Sequence, residues 1–149
     1  MLNISEGPAN ATIIGDLASA DHIPSNTFDC IILTQTLQLI YDVRSAIRTL
    51  HRILKYGGVV LATVPGISQT YDREWGKVWC WNFTSHSASR LFEEWFGHSN
   101  VSVQSHGNVL TAVSFLHGLA AEELTKEELE YKDEGYQFLI TVKAVKAKS

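Results

Sequence analysis

Residues 28–64 read FDCIILTQTLQLIYDVRSAIRTLHRILKYGGVVLATV, and this stretch decides the fold. Residues 28–34 form an apolar run of strand length, residues 43–54 repeat their apolar positions at helical spacing, and residues 59–64 form a second apolar run. Continuous apolar runs are typical of buried parallel strands, and the helical spacing is typical of an amphipathic helix. A strand, a helix and a strand in this order predict an α/β fold with a right-handed crossover.

Capping and turn residues mark the ends of these elements. Asp42 is placed to cap the N-terminus of the helix, and the two glycines at residues 57–58 are expected to end it. Pro65 stops the second strand. Because ligands of open α/β sheets bind at the carboxyl ends of strands, we expect function near Thr34, Pro65 and Asp16.

The flanking sequence predicts further elements. Upstream, residues 11–15 form a short β-branched run that predicts a strand ending at Asp16. Downstream, we expect helices at residues 85–96, 110–119 and 121–131 and strands at residues 101–106 and 137–145. The aromatic segment at residues 71–83 fits neither pattern and predicts a loop or a lid. We expect residues 1–149 to form a single domain.

Composition excludes several classes of protein. An apolar share of 45% and a charged share of 19% are ordinary for a globular chain, and the net charge of -4 provides no basic field for nucleic acid. The apolar runs are far shorter than the ~20 residues that a membrane-spanning helix needs. The two cysteines and the histidines show no metal-ligand spacing, and no secretory signal begins the sequence. We therefore expect a cytoplasmic protein that binds neither metal, nucleic acid nor membrane.

Residues 28–62 resemble the fourth strand, the next helix and the fifth strand of class I S-adenosylmethionine-dependent methyltransferases of the type often called 11. The resemblance depends on the apolar strand and on the Leu54-Lys55 pair and two glycines before the next apolar strand. Tyr56 stands where that family usually has proline. The resemblance implies a Rossmann-like sheet with helices on both faces, in which residues 11–16 are the third strand. Residues 101–106 and 137–145 would then be the sixth and seventh strands.

The glycine-rich turn with which this family holds its cofactor is missing from the sequence. Only Gly7 and Gly15 precede Phe28, and the first ten residues are too few for a strand, a glycine turn and a helix. We therefore expect an incomplete sheet that lacks the family's first two strands. The strand at residues 28–34 would have an open edge, so we expect residues 11–15 or a second chain to pair there. That chain would be another copy or a different polypeptide.

The resemblance implies roles for several residues around S-adenosylmethionine. Asp16 would accept a hydrogen bond from the adenine amino group, and Leu17 would pack beside the ring. Thr34 and Gln35 would line the methionine end of the cofactor. Gln38 falls where many relatives have a histidine that faces the site, but an amide cannot take part in proton transfer.

Aromatic side chains suggest where a methyl acceptor would bind. Trp75, Trp79 and Trp81 would supply flat apolar surfaces for a small molecule or a sugar, and packing in the core or in a lid is the alternative. His51 and His106 are candidate bases, although lone histidines on regular elements usually have no chemical role. The basic residues on the helix at 43–54 suggest an anion site or, more commonly, a solvated face. They are Arg44, Arg48, Arg52 and Lys55.

These observations predict an S-adenosylmethionine-dependent methyltransferase that acts on a small molecule or a sugar and lacks part of its cofactor half. The rival interpretation is a non-catalytic remnant that serves as a binding or oligomerisation module. A third possibility is a truncation introduced by the gene model or by cloning.

Overall fold

The computed structural model describes residues 2–3, 13–70, 75–133 and 135–148. The strands in these ranges are β1 (Leu2–Asn3), β2 (Ile13–Ile14), β3 (Phe28–Thr34), β4 (Leu54–Pro65), β5 (Val101–His106) and β6 (Leu139–Val145). The α-helices are α1 (Val43–Ile53), α2 (Ser85–Phe96), α3 (Val109–Leu116) and α4 (Lys126–Glu130). The α/β class predicted from the sequence is confirmed.

Four of the strands form one mixed sheet in the order β3-β4-β6-β5. β3 and β4 run parallel, with α1 between them in the chain, and β6 is antiparallel to both β4 and β5. Parallel neighbours require such a crossover helix, whereas antiparallel neighbours do not. In this order β6, the last strand of the chain, lies between β4 and β5.

Both long helices begin at a capping residue, and Asp42 caps α1 as predicted. The Asp42 carboxylate accepts a hydrogen bond from the Ser45 backbone N–H at 3.0 Å, and the Thr84 hydroxyl accepts one from the Ser87 N–H at 3.1 Å. The Ser87 hydroxyl also accepts from the Thr84 N–H, which completes a capping box. The starts of α1 and α2 are therefore determined by local sequence.

The prediction that Gly57 and Gly58 end α1 is wrong. The helix ends at Ile53, and Leu54 already pairs with Phe28 in the sheet. Pairing resumes at Val59, so the residues between form a bulge in which Gly57 has a φ of 76°. A β-carbon on Gly58 would meet the Asp29 carbonyl oxygen at 2.9 Å. The glycines therefore permit the close approach of β3 rather than the end of a helix.

The hydrophobic core lies on one face of the four-stranded sheet. α1 and α2 pack on this face and contact each other as well as β4, β5 and β6. One cluster joins Ile47 and Leu50 of α1, Phe92 of α2, and Val60 and Ile140 of the sheet, each no more than 1% exposed. The expectation of helices on both faces is wrong for the described residues. α1 connects β3 to β4, and α2 lies between β4 and β5 in the chain. Both of these connections cross the same face of the sheet.

The opposite face of the sheet is open in the described part of the chain. Ile32 of β3 is 71% exposed, and Leu61 of β4 and Lys143 of β6 are also exposed. Thr34 and Gln104 border a hollow on this face. Ile32 and Leu61 lie on neighbouring strands of this face, and adjoining exposed apolar side chains are more informative than a single one.

The outer edge of β3 has no partner strand among the described residues. The expectation that residues 11–15 pair there is wrong for the part that the structure describes, because Ile13–Ile14 pair in parallel with Leu2–Asn3. Residues 11 and 12 lie outside the described residues. Leu2, Ile13 and Phe28 all pack against the small cluster formed by Ala20, Ile23 and Ile53.

The predicted helix at residues 121–131 is divided in two. A short 3-10 turn covers Ala121–Glu123, and α4 begins after Thr125, whose hydroxyl accepts from the Glu128 N–H at 3.3 Å. Thr125 favours a helix start rather than a helix interior, because its side chain competes for backbone groups. Asn108 then fastens α4 to α3, since its side-chain amide donates to the Glu128 and Tyr131 carbonyls at 2.7 Å each.

Candidate functional site

The chain turns sharply where β3 ends. Gln35 adopts a φ of 46°, a left-handed conformation that is uncommon for a residue other than glycine. Its backbone N–H donates to the Thr63 carbonyl at 3.0 Å and lies 3.2 Å from Thr63 Oγ1. Strained residues held by their surroundings cluster at ligand sites. The turn therefore marks the carboxyl ends of β3 and β4 as a candidate site.

Gln38 lies one short turn beyond Gln35, within the 3-10 segment Leu37–Leu39, and its side chain is 2% exposed. Its Nε2 lies 3.3 Å from Gln35 Oε1, and Gln35 Nε2 lies 3.4 Å from Thr63 Oγ1. The two amides and the threonine hydroxyl thus form one continuous series of side-chain contacts. Gln38 Oε1 is shielded from solvent and has no hydrogen-bond partner among the described residues.

A cavity of about 530 Å³ opens at the same end of the sheet. Gln35, Gln38, Ser68 and Gln69 supply its polar lining, and residues such as Pro65, Trp79 and Phe138 contribute apolar walls. No charged side chain belongs to the described residues that line it. Its volume is in the range of small-molecule sites, which are mostly apolar with a few oriented polar groups.

The aromatic segment is anchored to this cavity by backbone hydrogen bonds. The Cys80 N–H donates to the Gln38 carbonyl at 2.7 Å, and the Phe83 N–H donates to the Pro65 carbonyl at 2.9 Å. Of the tryptophans expected around an acceptor, Trp79 lines the cavity. Trp81 instead donates to the Ile40 carbonyl at 3.0 Å and does not line it.

The third tryptophan of that prediction, Trp75, lies in the 3-10 turn Trp75–Lys77, and its side chain falls outside the described part of the chain. Residues 71–74, the start of the predicted lid, also lie outside the described residues. Backbone hydrogen bonds hold residues 80–83 in place, and Trp79, the residue before them, lines the cavity.

The turn that carries Asp16 is docked on α1. Asp16 Oδ1 accepts from the Ala18 N–H at 2.9 Å and caps the 3-10 turn Leu17–Ser19, while its Oδ2 bonds to none of the described residues. Arg52 of α1 donates to the Ile23 carbonyl at 2.6 Å and to the Ala20 carbonyl at 2.8 Å. Arg52, which is half-buried, therefore helps to hold this turn in place.

Two of the residues expected near the cofactor lie away from the cavity. The Leu17 side chain is buried in the core together with Leu37 and Val43. Thr34 borders the open face of the sheet, whereas Gln35, its neighbour, lines the cavity. Strand alternation places Thr34 on the same face as Ile32, whereas Gln35 lies beyond the strand, in the left-handed turn.

The candidate bases make structural contacts. The ring of His51 packs edge-on against Phe96 at 4.9 Å, and burial, with the nearby charge of Lys146, lowers the pKa of His51. His106 Nε2 lies 3.0 Å from Thr141 Oγ1 in the sheet. Neither histidine lines the cavity. Among the described residues, no three histidine, cysteine or acidic side chains cluster as metal ligands would.

The described residues fit one end of S-adenosylmethionine. Asp16 presents an exposed carboxylate with one unused oxygen, which suits an adenine amino donor. The described glycines do not form the glycine-rich turn after a strand that the methionine and ribose ends need. Where the carboxyl ends of β3 and β4 meet, Gln35 supplies polar groups beside the cavity.

Phe115 and Phe138 of the cavity were missed by sequence reasoning. Their rings meet edge to face at 4.9 Å, although α3 carries one and the residue before β6 carries the other. No local pattern could have linked them, because each lies in an ordinary apolar segment. No described helix is long and apolar enough to cross a bilayer.

Comparison with known families gives a match over most of the chain. A family model described as a methyltransferase domain matches residues 5–123. Among curated proteins, the chain is 34% identical over 58 residues to the ubiquinone/menaquinone biosynthesis C-methyltransferase UbiE of Haemophilus ducreyi. That alignment covers 35% of this chain and 22% of the relative.

Solved structures show the same fold. An S-adenosylmethionine-dependent methyltransferase from Mesorhizobium loti aligns with a TM-score of 0.60 and 16% identity, over 97% of this chain and 78% of that one. A methyltransferase in complex with the activator Trm112 of Haloferax volcanii aligns with a TM-score of 0.57 and 13% identity. The alignment covers 92% of this chain and 61% of that one, so this chain spans less than two thirds of it.

Proposed function

Because the chain belongs to the methyltransferase domain family, we propose that it takes part in S-adenosylmethionine-dependent methylation of a small molecule and supplies the acceptor side of the site. The observation that carries this proposal is the cavity of about 530 Å³ at the carboxyl ends of β3 and β4. Ligands of Rossmann-like sheets bind at this end. In this reaction the protein mainly aligns the acceptor and excludes water, because the cofactor supplies an activated methyl group.

We assign β3, β4, β5 and β6 to the fourth, fifth, sixth and seventh strands of the family. The order β3-β4-β6-β5, with β6 antiparallel to its neighbours, supports this assignment. Under it, Gln35 and Gln38 follow the fourth strand, and Asp16 follows the third. These residues, with Trp79, are the ones we propose to contact cofactor or acceptor.

The cofactor part of the proposal predicts that Asp16→Asn weakens binding of S-adenosylhomocysteine about tenfold or more. The amide oxygen of Asn replaces the oxygen that caps Ala18, so the turn is kept. Its NH₂ group replaces the unused oxygen and cannot accept from an adenine amino group. A lost hydrogen bond to a charged group corresponds to about 1.5–3 kcal/mol. Isothermal titration calorimetry of the whole chain measures the change.

Asp21→Asn is the matched control, since Asp21 is exposed and lies beyond the same turn. It should bind S-adenosylhomocysteine as the wild type does, and both variants should melt at the wild-type temperature. Wild-type binding by Asp16→Asn would remove Asp16 from the site. No binding by the wild type would reject cofactor binding by this chain alone.

A second function is favoured by the open face and edge of the sheet: association with a second copy of the chain. Ile32 is 71% exposed in the middle of β3, and β3 has no partner strand on its outer side among the described residues. Unpaired strand edges and apolar patches are common sites of association. A relative of known structure assembles with the activator Trm112, so assembly with another polypeptide is the alternative occupant.

Pairing through this surface predicts that Ile32→Lys weakens self-association at least tenfold. A buried lysine without a partner destabilises an interface. Natural edge strands often carry lysine, which disfavours pairing with another chain. Sedimentation velocity at several concentrations measures the effect. Tyr131→Lys is the control because Tyr131 is 67% exposed away from the sheet. A wild-type chain that sediments as a monomer at tens of micromolar would contradict pairing between copies.

A further inference from the structure

The cavity at the carboxyl ends of β3 and β4 is lined mostly by apolar side chains, and its polar lining residues are Gln35, Gln38, Ser68 and Gln69. Trp79, Phe115 and Phe138 supply aromatic surfaces, and the described lining residues include no charged side chain. A charged ligand would lose its hydration there without gaining a counter-charge from the described lining residues, which is unfavourable. A sugar carries many hydroxyl groups, and the four polar side chains of the described lining could satisfy only some of them. The described walls therefore favour an uncharged and mainly apolar molecule.

The side-chain contacts that join Gln38, Gln35 and Thr63 all run in one direction and leave one acceptor oxygen unused. Gln35 Nε2 donates towards Thr63 Oγ1 at 3.4 Å, and Gln38 Nε2 donates towards Gln35 Oε1 at 3.3 Å. Each amide thus uses its nitrogen as the donor to the next oxygen. This series of contacts ends at Gln38 Oε1, an acceptor that has no partner among the described residues.

An unpaired oxygen at this depth is unfavourable in the absence of a ligand. Buried polar atoms are nearly always hydrogen-bonded, and each exception calls for an explanation. Solvent does not reach Gln38 Oε1, although Gln38 lines the cavity. The terminal amide torsion of glutamine is broad, so a small rotation would turn this oxygen towards a ligand. Such a ligand must carry an O–H or N–H group, because the free group is an acceptor.

We propose that the cavity binds an uncharged, mainly apolar acceptor with one hydroxyl or amine N–H group, and that Gln38 Oε1 accepts a hydrogen bond from that group. This inference rests on the proposed function, since it names the class of molecule that would be methylated. Gln38 is a positioning residue for the nucleophile, because an amide cannot remove its proton. Aromatic alcohols and amines belong to this class.

Two matched probes test the proposal on the whole chain: β-naphthol and its methyl ether, which differ in the single donor hydrogen. A bicyclic aromatic ring is small enough for a cavity of about 530 Å³. Calorimetric titration is expected to show β-naphthol binding about tenfold more tightly than the ether. Naphthoate, which brings a charge, should bind at least tenfold more weakly than β-naphthol.

The Gln38→Met variant is expected to bind β-naphthol and its ether with nearly equal affinity, because methionine keeps the length of the side chain but has no strong acceptor. Gln104→Met is the control variant on the open face of the sheet and should keep the tenfold preference. NMR of the wild type gives an independent measurement. The Gln38 side-chain amide signals should shift with β-naphthol and much less with the ether, whether or not Gln38→Met folds.

Equal affinity of the two probes for the wild type, a preference for the ether, or no binding of either probe at millimolar concentration would overturn the proposal. A preference that survives in folded Gln38→Met would also overturn it. Titration with S-adenosylhomocysteine is separate from these outcomes. A chain that selects β-naphthol but does not bind S-adenosylhomocysteine would reject cofactor binding and leave the role of Gln38 intact.

Discussion

Replacing Phe92 by alanine is expected to lower the free energy of unfolding by about 3–5 kcal/mol. Phe92 is 1% exposed and belongs to the cluster that joins α1, α2 and the sheet. Its ring centre lies 6.0 Å from that of Phe96. Removing the ring leaves a cavity that the surrounding strands cannot fill, since their backbones are fixed by the sheet. Urea unfolding followed by circular dichroism measures the change.

Trp95→Ala is the matched control for this prediction, because Trp95 lies on the same helix and is 40% exposed. Its loss should lower the free energy of unfolding by no more than about 1 kcal/mol. If both substitutions had the same effect, α2 would not bury Phe92 as described. The core would then lie elsewhere.

The second large effect is expected from Gly66→Ala, which should lower the free energy of unfolding by about 3 kcal/mol. A β-carbon on Gly66 would overlap the Gln137 carbonyl oxygen, which belongs to the backbone and cannot rotate away. The Gly66 N–H also donates to the Phe138 carbonyl at 3.0 Å. The start of β6 would therefore have to move away from the end of β4, and urea unfolding measures the loss.

The same substitution should disturb the cavity, because Gly66 lies between two of its lining residues, Pro65 and Ile67, and is hydrogen-bonded to a third, Phe138. Binding of β-naphthol is expected to weaken along with stability. Gly118→Ala separates packing from backbone conformation, since Gly118 has a φ of 76° and an added β-carbon there would meet no atom within 4 Å. It should lose only about 1 kcal/mol. Equal losses at the two glycines would show that the contact with Gln137 is not the cause.

Elements whose signals are local were predicted well. Asp42 and Thr84 mark helix starts because a side-chain oxygen satisfies nearby N–H groups whatever the rest of the chain does. The apolar runs at residues 28–34 and 59–64 lie within β3 and β4. The glycines at residues 57–58 were misinterpreted, because a bulge and a helix end use glycine for the same backbone freedom.

The candidate site was predicted only in part. Gln35, Gln38 and Trp79 surround one cavity, as the resemblance and the aromatic pattern indicate, but their roles stay predictions. Thr34 lies towards the open face, since neighbours along a strand point to opposite sides. Trp81 was placed near the acceptor by composition alone, and its indole instead binds the Ile40 carbonyl.

The sequence by itself determined most of the segments that are helices and strands, because apolar spacing and capping act over a few residues. Only the tertiary structure decided that α1 and α2 share one face, that Ile32 is left exposed, and that Phe115 meets Phe138. It also decided that Gln38 Oε1 has no partner among the described residues. Burial and hydrogen-bond satisfaction depend on residues that are distant in the chain, so they are properties of the packed fold and not of any local pattern.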